Sequence, residues 1–194
     1  MLSFDLGTPE AERKLMRKAL TTAGDYFQGV LQPDYDEHLR DQTDLRRAFH
    51  AATSLLHMAD WVFITHEGQI KSKFTFKDRK GKIKPVGNAS EFANALQQKN
   101  ADFGRIRGIA NSATHLKLDH VSQLANAPTH ADNILIRTAT TYLPGFLNVV
   151  ARGRGWPVDT IVCEGENGNY LKFSPVARSV YNMWQELNSV HHWW

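Results

Sequence analysis

The sequence is poor in the features that commit a chain to a special environment. It has one cysteine, Cys163, in 194 residues. An internal disulfide is therefore excluded, and nothing in cysteine usage points to secretion. No apolar run approaches the roughly 18 residues that would cross a bilayer. The opening Met1-Leu2-Ser3-Phe4-Asp5 has neither a basic nor an apolar leader region, so no signal peptide is expected and the expected location is cytoplasmic, away from any membrane. Several signatures are also missing: the phosphate loop GxxxxGK[ST], GxGxxG, HExxH, paired CxxC and the GxSxG elbow. Phosphate-loop nucleotide hydrolysis, zinc proteolysis and serine hydrolysis are poor expectations without them.

What is present is an ordinary globular composition, 42% hydrophobic and 22% charged. A chain of this length buries roughly 70% of its unfolded surface, enough for a core without metal or disulfide support. Cys163 lies in the apolar run Thr160-Ile161-Val162-Cys163 and reads as a buried, inert thiol. The net charge of +3 and pI near 9.0 permit an anionic partner without requiring one.

Thr8-Pro9 reads as a helix start and Pro33 as its stop, with Leu15, Ala19, Ala23, Tyr26, Phe27 and Val30 at helical spacing. The strongest periodicity predicts a helix from about His38 to Thr65. Leu45, Ala48, Phe49, Ala52, Leu55, Leu56, Ala59, Val62 and Phe63 form its apolar face, and Gly68 stands as its stop. Lys71 to Pro85 breaks the pattern and reads as a loop or short hairpin turning at Gly81. Ser90 is expected to cap a third helix, and Asp102 a fourth carrying Ile106, Ile109, Ala110 and Ala113.

From Leu116 onward the chain holds short apolar runs. Thr138, Thr140 and Thr141 favour a strand over Asn133–Tyr142, with a helix from Ala131 as the alternative. Thr160–Glu164 and Tyr170–Phe173 flank Asn167-Gly168, a hairpin signal. Ser174-Pro175 opens the last helix, with Val176, Val180, Met183, Trp184 and Leu187 as its stripe. Trp193 and Trp194 are expected to pack back and extend that stripe. The expected fold is α+β and predominantly helical, one domain over residues 1–194. A helical bundle covers about 8–115, a β-containing elaboration with a hairpin about 116–173, and the C-terminal helix about 175–190.

Arg107, Asn111 and His115 are spaced i, i+4, i+8 and can share one helix edge. His57 and Asp60, spaced i, i+3, are placed at the margin of the second helix's apolar face, with His50 one heptad earlier. If the two helices pack, a carboxylate beside an imidazole with an arginine nearby suits acid–base work on a phosphodiester. The competing reading is a structural network that satisfies buried polar groups. His50, His57, Asp60 and His115 include zinc-ligand types, but His50 and His57 are two turns and about 10 Å apart, so no metal and no cofactor is expected.

The segments Ile106-Arg107-Gly108-Ile109-Ala110-Asn111-Ser112-Ala113-Thr114-His115 and Leu56-His57-Met58-Ala59-Asp60-Trp61 resemble the signature region of HEPN-like proteins, over roughly residues 38–118. These are small helical bundles of bacterial toxin–antitoxin and phage-defence systems, many of them metal-independent ribonucleases. Their motif is an arginine, four to six residues and a histidine, often with asparagine directly after the arginine. Asn111 and His115 match; Ala110 stands where the arginine would be, and Arg107 lies outside the usual spacing. The resemblance implies a divergent member. In it His115 would transfer the proton, Arg107 would hold the phosphate, Asn111 would position, and His57 and Asp60 would support. It also implies RNA as substrate, an antitoxin or other protein partner, and a homodimer. Lys71, Lys73, Lys77, Arg79, Lys80, Lys82 and Lys84, interleaved with Phe74 and Phe76, would supply phosphate contact and base stacking; Arg152-Gly153-Arg154-Gly155 is a second, smaller basic element. The basic segment also has a plainer reading, a solvated loop. The rival function is a non-catalytic helical protein–protein interaction module.

Overall fold

In a computed structural model of the chain, residues 19–114, 134–141, 156–164 and 170–194 are described, with side chains for 19–111, 161–163 and 171–194. The fold is α+β and predominantly helical. The element order is α1 (Ala23–Tyr26), a π-helical turn (Phe27–Leu31), α2 (Gln32–Arg40), α3 (Leu45–Thr65), α4 (Glu67–Lys73), β1 (Thr75–Lys77), β2 (Ile83–Pro85), α5 (Ala89–Lys99), α6 (Ala101–Thr114), β3 (Ile134–Thr141), β4 (Trp156–Glu164), β5 (Tyr170–Lys172) and α7 (Phe173–His191).

The first described helix differs from its sequence reading at both ends. The expected start at Thr8-Pro9 lies outside the described residues. Thr22 and Asp25 close a reciprocal capping box: Thr22 Oγ1 accepts from Asp25 N at 3.0 Å, and Asp25 Oδ2 accepts from Thr22 N at 3.1 Å. Pro33 does not stop the helix. In a regular α-helix its ring would meet the carbonyl four residues back. Here the preceding turn is widened, with Gln32 N–H bonding Phe27 O five residues back. The extra residue takes that carbonyl out of line, and the helix runs on to Arg40.

α3 starts at Leu45, not near His38. Asp41 Oδ1 accepts from Thr43 N and Thr43 Oγ1, turning the chain, and Asp44 Oδ1 then caps α3 through Arg46 N at 2.8 Å. Gly68 is likewise no stop: α3 ends at Thr65, and Gly68 lies inside α4. Asn88, not Ser90, caps α5, its Oδ1 accepting from Glu91 N. Asn100 Oδ1 receives Asp102 N at the start of α6, where Asp102 itself pairs with Arg105.

α3 is the central post and packs against α1, α2, α5, α6 and α7. Its inner face is rich in small residues, with Ala48, Ala51, Ala52 and Ala59 beside Leu55, Met58 and Val62, all at most 1% exposed. Small side chains let neighbouring helices approach on several sides at once. Trp184 of α7 is fully buried against this post. Its indole N–H donates to Leu55 O at 3.1 Å, and its ring meets Phe103 edge-on at 6.0 Å.

β1 and β2 form an antiparallel hairpin with Lys77 opposite Ile83 and Gly81 at φ +76° in the turn, the left-handed conformation glycine adopts freely. β3, β4 and β5 form an antiparallel sheet in that order, with Ile134 opposite Cys163 and Cys163 opposite Leu171. The expected strand over Asn133–Tyr142 is therefore present as β3; the Asn167-Gly168 turn lies outside the described residues. Cys163 is buried, and burial pushes its thiol up to about 12.

After α7 the chain turns through His192, at φ 53°. Trp193, 4% exposed, lodges among Phe74, Phe92, His66 and His191. Trp194 stacks on Phe27 at 5.0 Å. A Cβ on Gly24 would fall 2.6 Å from Trp194 Cβ, so α1 can approach the chain end this closely only through glycine. No helix among the described residues is long and apolar enough to cross a membrane.

His38 is fully buried where α2 meets the start of α7. Its Nε2 lies 3.0 Å from Ser174 Oγ, its Nδ1 has no hydrogen-bond partner, and its ring sits edge-on to Phe173. Burial lowers its pKa against the opposing pull of Asp41, so the folded ring stays neutral further into acid than the unfolded one. The unfolded chain takes up a proton near pH 6.5 that the fold resists. Stability is therefore complete above about pH 6.5 and falls as the pH drops through that value. Thermal unfolding measured from pH 7.5 to 5.5 should show a falling Tm, with a shallower slope in His38→Gln. An unchanged slope would locate the acid sensitivity elsewhere.

Candidate functional site

The proposed supporting residues lie on α3, and Arg107 and Asn111 lie on α6. His57 and Asp60 are exposed, and His57 lies about 200° around the helix from Leu55, away from the core instead of on its margin. Asp60 acts on the side of α1. Burial raises the Tyr26 hydroxyl to about 12, and Asp34 and Asp60 add to the rise. His50, also exposed, shares the outer face with His57.

Arg107 is half-buried on α6 and turns to α5, where its Nη1 donates to Asn94 Oδ1 at 2.7 Å. Asn111 is half-buried on the same helix. α3 and α6 do pack together, but among the contacts of the described residues none joins His57 or Asp60 to Arg107. His115 lies outside the described residues, as does the Arg152–Gly155 element. No group of three or more His, Cys, Asp or Glu side chains among the described residues could hold a metal ion.

The basic segment has a more definite geometry. Lys71 and Lys73 belong to α4, and Lys71 Nζ is paired with Glu67 at 2.6 Å. The other five cations sit on the hairpin and its turn. Asp78 organises that turn: its carboxylate accepts from Lys80 N and Lys82 N at 2.9 Å and meets Lys84 Nζ at 2.9 Å. The Lys84 ammonium, followed by the backbone N–H groups, holds the Asp78 carboxyl below its usual range; Asp78 in turn raises Lys84. Lys77, Arg79, Lys80 and Lys82 remain exposed and outside any ion pair of the described residues.

The two phenylalanines do not join the cations at the surface. Phe74 is 3% and Phe76 8% exposed. Phe74 meets Phe92 edge-on and lies under Lys99 Nζ, 4.6 Å from its ring centre. The expected base-stacking role of Phe74 and Phe76 is therefore ruled out by their burial; they anchor the hairpin to the bundle. The strict alternation Lys73-Phe74-Thr75-Phe76-Lys77 is the sequence mark of such a half-buried strand.

Gln98 completes the arrangement and carries no readable motif. Its side-chain amide pairs with β1 as a strand would, accepting from Lys77 N at 2.8 Å and donating to Lys77 O at 2.7 Å. This closes the free edge of β1 and ties the hairpin to α5. Residues 67–99 contain eight of the 23 Lys and Arg but only three of the 20 Asp and Glu, so the positive balance of the chain resides here.

Nearby, His191 stacks on Trp193 at 4.9 Å, and His66 Nε2 lies 2.9 Å from Trp193 O. Burial, then Lys73, Lys99 and His192, lower the His191 pKa. Imidazoles and lysines at the negative end of α7 are also what a helix C-terminus attracts.

No protein-family model matches the chain, and no solved structure matches it. Over 110 residues, 57% of its length, it is 26% identical to Reticulon-4 of Homo sapiens, of which it spans 9%.

Proposed function

We propose that the protein is a cytoplasmic nucleic-acid-binding protein that engages RNA through the β1–β2 hairpin. The observation that supports this reading is the set of exposed, unpaired cations Lys77, Arg79, Lys80 and Lys82 on a pinned hairpin. Clustered cations on one projecting element attract a polyanion and release its counterions on binding. Reversal of two of them, Lys80→Glu with Lys82→Glu, should weaken RNA binding by about tenfold or more and flatten its salt dependence. Unchanged affinity would remove the hairpin from the function.

A HEPN-like, metal-independent ribonuclease of a toxin or defence system remains the catalytic form of this reading, with His115 as the proton-transfer group, Arg107 holding the phosphate and Asn111 positioning it. Loss of a general acid–base group costs about 10²–10⁴ in rate. RNA cleavage by the wild type should therefore fall by that much in His115→Ala; equal cleavage would reject the role.

The second reading, a non-catalytic protein interaction module, draws on a groove of about 660 Å³ between α5 and α7. Leu96, Met183, Leu187 and Val190 line it, with Lys99 and Glu186 beside them. A protein without RNA affinity that holds a stoichiometric protein partner, lost on Val190→Glu, would favour that reading.

A further inference from the structure

The nucleic-acid reading leaves open which strand form the hairpin takes, and three features of the structure bear on this. Single-strand binders combine a basic groove with exposed aromatic platforms, each stacked base contributing about 1–3 kcal/mol. Among the described side chains no Phe, Tyr or Trp is exposed. The two aromatics in the basic segment, Phe74 and Phe76, are turned into the core. Affinity at this surface must then come from phosphates, not from bases.

The backbone that carries the cations is also held in a fixed frame. Asp78 gathers two backbone N–H groups and Lys84 Nζ, Gly81 N bonds Asp78 O, and Gln98 clamps both polar groups of Lys77. Cations projecting from a rigid ribbon have fixed points of attachment, which suits a polymer whose phosphates are themselves regularly spaced. A flexible single strand would have to be ordered on it, at an entropic cost. Duplex DNA presents one charge per about 1.7 Å of axis, against about 3.4 Å along one of its strands. Four cations on one short ribbon meet roughly twice the charge density there.

The shape agrees. The ribbon is two strands wide, with strands about 4.8 Å apart. It leads with a turn carrying Arg79 and Lys80, and Lys77 lies opposite the exposed Ile83 on its outer face. A two-stranded ribbon fits the major groove of B-form DNA, about 12 Å wide. The wide, shallow minor groove of A-form RNA is open to contacts with phosphate and sugar.

We infer that the β1–β2 hairpin is a backbone-reading element for double-stranded nucleic acid, with Lys77, Arg79, Lys80 and Lys82 as its phosphate contacts. The inference rests on the nucleic-acid-binding reading above, specifies duplexes recognised without sequence preference, and leaves the choice between RNA and DNA duplex to the test.

The test uses the full chain and fluorescence anisotropy with labelled mixed-sequence RNA and DNA duplexes about two helical turns long, each compared with its separate strands at low salt. Duplex binding should be at least tenfold tighter than binding to either strand. The duplex that binds more tightly identifies the source of the phosphates. In a variant with Lys77→Gln, Arg79→Gln, Lys80→Gln and Lys82→Gln, the log–log salt slope on DNA duplex should shrink by about 3–4, since each phosphate contact contributes about 0.9. Equal affinity for strands and duplexes would overturn the duplex inference while leaving nucleic-acid binding in place. A lack of binding to every probe would overturn both. Tight duplex binding with an unchanged slope in the variant would overturn the assignment to the hairpin. The duplex-to-strand comparison needs only the wild type, so a variant that fails to fold does not shield the inference.

Discussion

Trp184→Ala should lower stability by about 3–5 kcal/mol, the range for emptying a buried aromatic site. For a domain of this size that corresponds to a Tm lower by roughly 6–20 °C. The indole is fully buried between the central post and α6. Trp184→Phe separates the contributions. It retains much of the packing but loses the N–H bond to Leu55 O, which contributes about 1 kcal/mol beyond the loss of volume. Chemical denaturation of the three proteins measures both terms. A Trp184→Ala protein within about 1 kcal/mol of wild type would mean that α7 is not held to the post in this way.

Trp193→Ala carries the second large effect, again about 3–5 kcal/mol, because the ring joins the foot of the hairpin, α5 and α7 through Phe74, Phe92 and His191. The phenylalanine variant behaves differently here. Trp193 Nε1 is buried without a hydrogen-bond partner, and an unsatisfied donor already costs about 1–3 kcal/mol. Trp193→Phe removes that donor and should be milder than Trp184→Phe by about 1–2 kcal/mol. Equal losses in the two phenylalanine variants would show that hydrogen bonding does not distinguish the sites. The Lys99 contact with Phe74 gives a second readout. If Trp193 braces that ring, Trp193→Ala should also loosen the hairpin, seen as faster amide exchange at Lys77.

Much of the fold was legible because burial leaves a period in the sequence. The α3 face and the α7 stripe follow from apolar spacing, and the β4–β5 pair from two short runs flanking a turn signal. Boundaries were less legible, since they depend on which of several polar residues the backbone uses. Asp41, Thr43 and Asp44 turn the chain in the polar run just before Leu45, where the apolar face begins, and Asn88 takes the capping role two residues before the equally suitable Ser90. Gly68 shows the same limit from the other side, since a glycine near a helix end permits a stop without requiring one.

The candidate site was legible only in its charges. That Lys77, Arg79, Lys80 and Lys82 would share one element followed from their proximity in sequence. That Phe74 and Phe76 would turn inward was present in the alternation but yielded to the attraction of a stacking platform. The clamp by Gln98 could not be read, because it depends on a contact 21 residues away. The placement of His57 went astray for a simpler reason. A helix wheel gives angles around one axis, and the broad apolar face of α3 left its margins undefined.

The widened turn ahead of Pro33 has a meaning beyond tolerating that ring. Ala23, Phe27, Leu31 and Tyr35 are all buried and recur every four residues. On an ordinary α-helix such a series slips forward by about 40° at each step, so its later members would swing out toward solvent. One oversized coil takes up part of that slippage and restores the phase. The beat of the hydrophobic residues and the widened coil of the helix are then two expressions of one geometry.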